Sequence, residues 1–509
     1  MRASNRVILN TVAQYIRIIV NMVLSLYTVR LVLSTLGEND FGIYSLIAGV
    51  VAMLAFVTNS LVVTTQRFVS FYQGKGKIEK TKEIFNNSLA IHIIIGLVVS
   101  AILALFTPFL FNGFLNIPVD RIETGKLVYY TVVAIIFVSF ITAPYRALLI
   151  SHENIVYISV VDIIDAVLKV ILVILMTFLD NDKLMLYSFI MLFINIVTFL
   201  LLMIYDYSKY TECVIPNFCR LKLSYVMEMG TFAGWSVYQT GCVVGRQQGI
   251  SIVLNRFMGP VVNAAYGIGF QIAGYTNYLA GAVANAISPQ IVKAEGSGDR
   301  EKALWLSKVA CKFNFFLLSA LCVPCMFEID NILKLWLGTV PKDSNVFSIM
   351  VMLTLLCDAI SIGFKYLVQA MGRLGMYSII TATPKLLALP IAFFIVRNNF
   401  PIEWVVIAYV TVELICSLLR IPYLYSRGRL QMGDFFKDVM LKEIFVTTVL
   451  IIVCWLITSF FDCQYRFLLT FGFGLTIHFI TIYVIGLTSH EKLIVNKVIR
   501  SIINKIKKN

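Results

Sequence analysis

Long apolar runs recur along the whole chain, and nothing constrains its fold more than they do. About twenty apolar residues span a bilayer. Runs of that length lie near 8–34, 41–70, 84–112, 125–149, 154–179, 184–206 and 231–254, then near 262–291, 303–328, 346–369, 376–396, 402–425, 440–461 and 465–487. Hydrophobic residues make up 59% of the 509 and charged residues only 14%, which excludes an ordinary soluble domain, where about half apolar is usual. The expected fold class is an all-α polytopic membrane protein with about 14 transmembrane helices. The first run is long and lacks a clear small-residue cleavage site, so it reads as a retained span rather than a signal peptide.

The net charge of +14 would suggest nucleic acid in a soluble protein. Here the excess sits in alternate short loops, as topology alone requires. The odd loops are poor in Lys and Arg: LGEND has none, DNDK has Lys183 and RNNF has Arg397. The even loops are rich: Lys75, Lys77, Lys80 and Lys82, then Lys293, Arg300 and Lys302, then Arg427, Arg429, Lys437 and Lys442. By the positive-inside rule both termini are cytoplasmic, which an even number of spans also requires. No nucleic-acid partner is expected.

The longest internal loop, YSKYTECVIPNFCRLKLSYVMEMG, divides the chain after six spans. The expected organisation is an N-lobe over 1–210, a C-lobe over 211–430, two additional transmembrane helices over 431–488 and a basic cytoplasmic tail over 489–509. An internal repeat supports two six-helix lobes. Gly37, Tyr44, Gly74 and Gly76 recur 222 positions later as Gly259, Tyr266, Gly296 and Gly298. An even separation of six spans relates the lobes by an axis along the membrane normal.

The first span carries a polar stripe: Asn10, Gln14, Arg17 and Asn21, spaced four, three and four apart on one helix face. Arginine at mid-membrane depth costs a few kcal/mol or more, so it faces a water-filled cavity or a partner. Shifted by 222, Gln14 and Arg17 fall on Ser236 and Gln239 in span seven, and Arg246 joins that face seven residues on. Each lobe thus opens with a helix bearing one intramembrane arginine. Two such arginines suit a phosphate or pyrophosphate; the plainer alternative is that each satisfies a carboxylate inside its bundle.

Span seven also carries Gly234, Gly241 and Gly245 among five glycines, which serve either close packing or a bending gate. Pro384 and Pro390 are expected to bend span eleven beside Lys385. In span five, Asp162, Asp165 and Lys169 share a face, with Asp165 and Lys169 one turn apart. An internal ion pair is the plain reading; the extra carboxylate leaves room for H+ or Na+ coupling, or for pairing with an arginine. Lys385 and Glu413 form a second pair of this kind. Arg30, Arg67, Arg146, Lys365 and Arg420 lie near span ends, where long cations snorkel.

Enzyme signatures are weak. No Gly-rich phosphate loop, H-E-x-x-H or G-x-S-x-G occurs, and the four histidines lack ligand spacing. Cys322 and Cys325 form a C-x-x-C within an apolar helix, which reads as core rather than metal or redox chemistry. Glu38 and Asp40 are explained by a turn between helices. No catalytic residue, metal or cofactor is expected.

The segments TVRLVLSTLGENDFGIYSLIAGVV and TTQRFVSFYQGKGKIEKTKEIFNN resemble the N-terminal region of bacterial polysaccharide flippases. These export O-antigen, lipopolysaccharide and capsule repeat units within the multidrug/oligosaccharidyl-lipid/polysaccharide (MOP) superfamily. The resemblance implies a V-shaped, MATE-like pair of lobes around a central cationic cavity in the bacterial inner membrane. It implies a flippase moving an undecaprenyl-diphosphate-linked oligosaccharide to the periplasmic leaflet by alternating access, with membrane lipids and other polysaccharide assembly proteins as partners. In that role Arg17 and Arg246 would neutralise the diphosphate, while Gln14, Asn21, Ser236 and Gln239 would bond phosphate or sugar hydroxyls. The alternatives are a cation-coupled multidrug exporter, a lipid-linked peptidoglycan precursor flippase and, least favoured, a membrane glycan polymerase or glycosyltransferase.

Overall fold

A computed structural model describes residues 3–52, 54–111, 117–179, 182–214, 216–217, 221–337, 340–461, 465–489, 491–493 and 496. Most of the basic tail over 489–509 lies outside them. The described residues form helices and turns, as expected where lipid offers the backbone no partners. They divide into two compact units, Leu9–Val237 and Tyr238–Asn509, the latter joined by Met1–Ile8.

The N-terminal unit contains α1 (Ala3–Ala52), α2 (Ala55–Gly74), α3 (Ile78–Leu105), α4 (Ile122–Ser151), α5 (Ile155–Thr177), α6 (Lys183–Lys209) and the first part of α7 (Leu223–Met258). Helix α1 is broken at Gly37, where φ is +78° and ψ 170°. That conformation is open almost only to glycine, so it separates span one from span two. Span two is itself interrupted, between α1 and α2 at Leu54. Helix α4 is central and packs against α2, α3 and α6. Its Val128, Tyr129, Val132 and Phe140 form the unit's core with Ile43, Ile47, Leu61 and Leu184. Arg121 binds Asp40 at 2.7 Å and Asp182 at 2.8 Å, so Asp40 ties turns together, consistent with a structural role.

The second unit contains the rest of α7, then α8 (Pro260–Gly296), α9 (Arg300–Phe327), α10 (Ser344–Ala359), α11 (Ile362–Met371), α12 (Leu374–Thr381), α13 (Ala388–Arg397), α14 (Ile402–Leu418), α15 (Arg420–Gly428), α16 (Leu441–Phe460) and α17 (Arg466–Thr481). Span ten is the pair α10 and α11, bent by 50°. Span eleven is broken by a 3-10 turn over Thr383–Leu387 that contains Pro384, as the proline requires.

Gly259 enters α8 with φ +87° and ψ 176°, repeating the Gly37 geometry. Gly76 and Gly298 likewise share positive φ, +66° and +85°. The 222-residue repeat is therefore a repeat of backbone conformation as well as of residues.

Two cores organise the second unit. One joins α7, α8, α10 and α14 through Ile250, Tyr266, Phe347 and Tyr409. The other joins α9 and α10 to α16 through Phe316, Met352, Val446 and Leu450. Polar contacts fasten α17 and the segment after it to α9: Arg466 and Thr470 bind Glu328, at the end of α9, at 2.9 and 2.8 Å, and Lys312 binds Glu491 at 2.6 Å.

Each of the fourteen apolar runs falls on a helix or a broken helix. Among the described residues nine helices are long and apolar enough to cross a membrane, or ten with the bent pair. Helix α5 misses that measure because Asp162, Asp165 and Lys169 interrupt it.

Candidate functional site

Polar side chains of α1 gather against α4 and α5. Gln14 is buried, and Asn10 donates to the Glu153 carbonyl at 2.7 Å. Arg17 donates to Asp162 Oδ2 at 2.7 Å, and Arg146, from α4, donates to Asp162 Oδ1 at 2.5 Å. One carboxylate thus serves two guanidiniums. The three side chains remain 15%, 16% and 32% exposed, for Arg17, Asp162 and Arg146. Asn21, one turn on, has a buried Oδ1 with no hydrogen-bond partner among the described residues. Asp165 turns elsewhere, to Lys169 at 2.6 Å and Thr198 at 3.2 Å.

The second unit holds a cavity of about 430 Å³ between α7, α8, α10–α12, α14 and α15, within the usual size of a small-molecule site. Gln239 and Arg246 reach it from α7. Arg246 lies 2.8 Å from Glu413 Oε2, and its guanidinium sits 4.0 Å over the Tyr409 ring. Lys385 donates to Glu413 Oε1 at 2.5 Å. The turn that contains Pro384 delivers Lys385 here, so the helix break positions a charge. All three side chains are at least nine-tenths buried, with 3% of Arg246, 2% of Glu413 and 9% of Lys385 exposed. Charges so far from water persist only when paired, and removing one partner of such a pair costs about 3–5 kcal/mol.

A second charged group lines the same cavity. Arg420, from α15, binds the Asp358 carboxylate and donates to the Asp358 carbonyl at 3.2 Å. Lys365, from α11, also lines the cavity. It has no ion-pair partner among the described residues. The lining therefore sets four basic side chains against two carboxylates.

Of the residues singled out in the sequence, Gln239, Arg246, Lys385 and Glu413 come together at the cavity. Arg17 and Asp162 meet in the N-terminal unit, with Gln14 and Asn21 on the same helix as Arg17. Ser236 is buried within that unit as well. Arg146 and Arg420, which by their position should snorkel, do not: each pairs with a carboxylate, and Lys365 lines the cavity. Arg67 is also buried, over the rings of Phe68, Phe71 and Phe232.

The glycines of α7 differ among themselves. A Cβ at Gly249 would press on Leu389, so packing explains that glycine. At Gly234 and Gly241 it would meet nothing within 4 Å, and at Gly245 only Leu386 at 3.7 Å. Among the described residues no three His, Cys, Asp or Glu side chains lie together as metal ligands would.

The family described as polysaccharide biosynthesis protein matches residues 4–295. No curated protein matches the chain. Solved structures share its fold at low identity. A MATE transporter in the straight conformation is 15% identical with a TM-score of 0.72, covering 86% of this chain and 97% of that one. A single-residue mutant of the Vibrio cholerae MATE transporter VcmN is 16% identical with a TM-score of 0.70, covering 84% and 98%. A MOP superfamily transporter from Pyrococcus furiosus, described as having a binding pocket of reverse polarity that suggests a different function, is 13% identical. Its TM-score is 0.68, with 86% and 99% covered.

Proposed function

Since the chain belongs to the polysaccharide biosynthesis protein family and has the fold of MOP-superfamily transporters, we propose that it is a flippase for lipid-linked oligosaccharides. Its cargo on this reading is an undecaprenyl-diphosphate-linked repeat unit of a surface polysaccharide, moved from the cytoplasmic to the periplasmic leaflet of the inner membrane. The observation that carries this reading is the charge of the cavity lining, four basic residues against two acidic ones. An anionic head group is attracted to such a lining; a cationic drug is repelled. Moving a phosphorylated sugar through hydrocarbon unaided is prohibitive, so shielding the head group is the task to be performed.

The mechanism is alternating access, with the polyprenyl chain left in lipid while the head group occupies protein. Arg17 and Arg246 supply charge to the phosphates, and Gln14, Asn21, Ser236 and Gln239 supply hydrogen bonds to phosphate or sugar. Gly234, Gly241 and Gly245 act as the gate in α7. Asp162, Asp165, Lys169, Lys385 and Glu413 hold the arginines and neighbouring charges in place, and their carboxylates offer sites for H+ or Na+ coupling. Deletion of the gene in its host tests the reading. Loss of surface glycan with accumulation of its lipid-linked precursor is the expected outcome. Normal glycan with new sensitivity to cationic drugs would favour a multidrug exporter instead.

A further inference from the structure

Helices α4 and α6 leave a groove of about 520 Å³ between them. It lies wholly within the N-terminal unit, apart from the cavity assigned to the cargo. We propose that this groove seats one acyl chain of a phosphatidylethanolamine molecule, with Glu123 and Lys126 at its rim receiving the zwitterionic head group.

The wall follows from helix periodicity. Glu123, Leu127, Tyr130 and Ala134 are spaced four, three and four apart, so they share one face of α4. Val128, Tyr129 and Val132 turn the other way, into the core of the unit. Phe189 and Leu192 line the groove from α6, and Tyr130 and Phe189 are exposed. The Thr131 hydroxyl donates within its own helix, to the Leu127 carbonyl at 2.9 Å, so it asks for no partner from a ligand. Past its charged rim the groove is therefore suited to hydrocarbon.

Its length selects the occupant. Both helices are long and apolar enough to cross a membrane, and the charged start of α4 sets Glu123 and Lys126 at head-group depth. Ala134 lies eleven residues beyond Glu123, about 16 Å along the helix. That is close to half of the ~30 Å hydrocarbon core, the depth of one leaflet. An acyl chain fills a groove of that reach; a partner's transmembrane helix would need one running through both leaflets.

The rim selects the head group. Lys126 donates to Glu123 at 2.7 Å, and these side chains are 36% and 86% exposed. Such a pair contributes little by itself and opens readily, leaving an ammonium for a phosphate and a carboxylate for an amine. Beside it Arg121 is shared between Asp40 and Asp182, and Thr124 also reaches Asp182, at 3.4 Å. Two cations thus stand against three carboxylates. An anionic head group finds no surplus positive charge here, whereas phosphoethanolamine brings the cation that the surplus carboxylate lacks.

The test is native mass spectrometry of the purified, delipidated full-length protein titrated with dioleoyl phosphatidylethanolamine or dioleoyl phosphatidylglycerol. Wild type is expected to bind its first phosphatidylethanolamine about threefold more tightly than phosphatidylglycerol, the worth of one exposed charge contact. Glu123→Lys turns the count to three cations against two carboxylates and should reverse the preference. Glu123 is exposed, so that variant keeps the fold. Ala134→Phe fills the groove and should abolish the preference by removing the seat. Equal binding or a phosphatidylglycerol preference in wild type overturns the proposal. So does a phosphatidylethanolamine preference that survives Glu123→Lys, or one that survives in folded Ala134→Phe.

Discussion

The two units solve one electrostatic problem at two degrees of burial. In the N-terminal unit Asp162 holds Arg17 and Arg146; in the second unit Glu413 holds Arg246 and Lys385. The charge count is the same, one carboxylate to two cations. The N-terminal trio is 15–32% exposed, and the other 2–9%. Exposure decides what such a cluster is for. Where a cluster is partly exposed, a competing anion exchanges with its pairs more readily. Where water is excluded, each partner becomes a requirement of the fold. The second cluster therefore holds the cavity wall and presents Arg246 from it, while the first exchanges partners more readily.

The largest effect should separate the two carboxylates. Glu413→Gln leaves two buried cations facing each other and is expected to destabilise the protein by about 3–5 kcal/mol, read as a lower thermal midpoint in detergent. Asp162→Asn, in the more exposed trio, should cost less than that. Equal losses for the two would break the comparison.

Smaller effects sharpen it within α7. Alanine at Gly241 or Gly245 meets open space or an ordinary contact, so each change should stabilise the helix by about 0.4–1 kcal/mol. A simultaneous fall in export rate identifies bending as the glycine's role; unchanged export assigns these positions to packing tolerance.

The smallest effect concerns a third carboxylate, in the N-terminal unit outside the spans. Glu212 accepts a contact from His152 at 3.4 Å, and that interaction holds its carboxyl below the ordinary 4.5, against the opposing pull of burial. A depressed folded-state pKa stabilises above the unfolded value and is lost as pH falls through the folded one. Acidification below about 4.5 should therefore erode a stability increment that Glu212→Gln lacks at every pH, measured as the difference in thermal midpoint across a pH series.

Much of this was legible in the sequence. The apolar runs located the helices, Pro384 marked the break that places Lys385, and the spacing of Gln239 and Arg246 placed both on one side of α7. Arg146 and Arg420 are misplaced by sequence reasoning because a cation near the end of an apolar run snorkels as readily as it pairs. The distinction lies in a partner 16 or 62 positions away, which no local pattern encodes. The 222-residue repeat was also legible, and the backbone supplies its physical cause. Glycine recurs at 37 and 259 because the chain there adopts a conformation closed to other residues.

The most direct test is flipping of a fluorescent undecaprenyl-diphosphate oligosaccharide in proteoliposomes, scored by its accessibility to a membrane-impermeant enzyme. Wild-type protein should equilibrate the lipid between leaflets, and Arg246→Ala should lower the rate at least about tenfold, the equivalent of one lost charge-assisted contact. Arg17→Ala should also slow it. Lipid that stays in its original leaflet with folded wild-type protein, or moves equally fast with both arginines replaced, would contradict the claim that this cationic path carries an anionic head group.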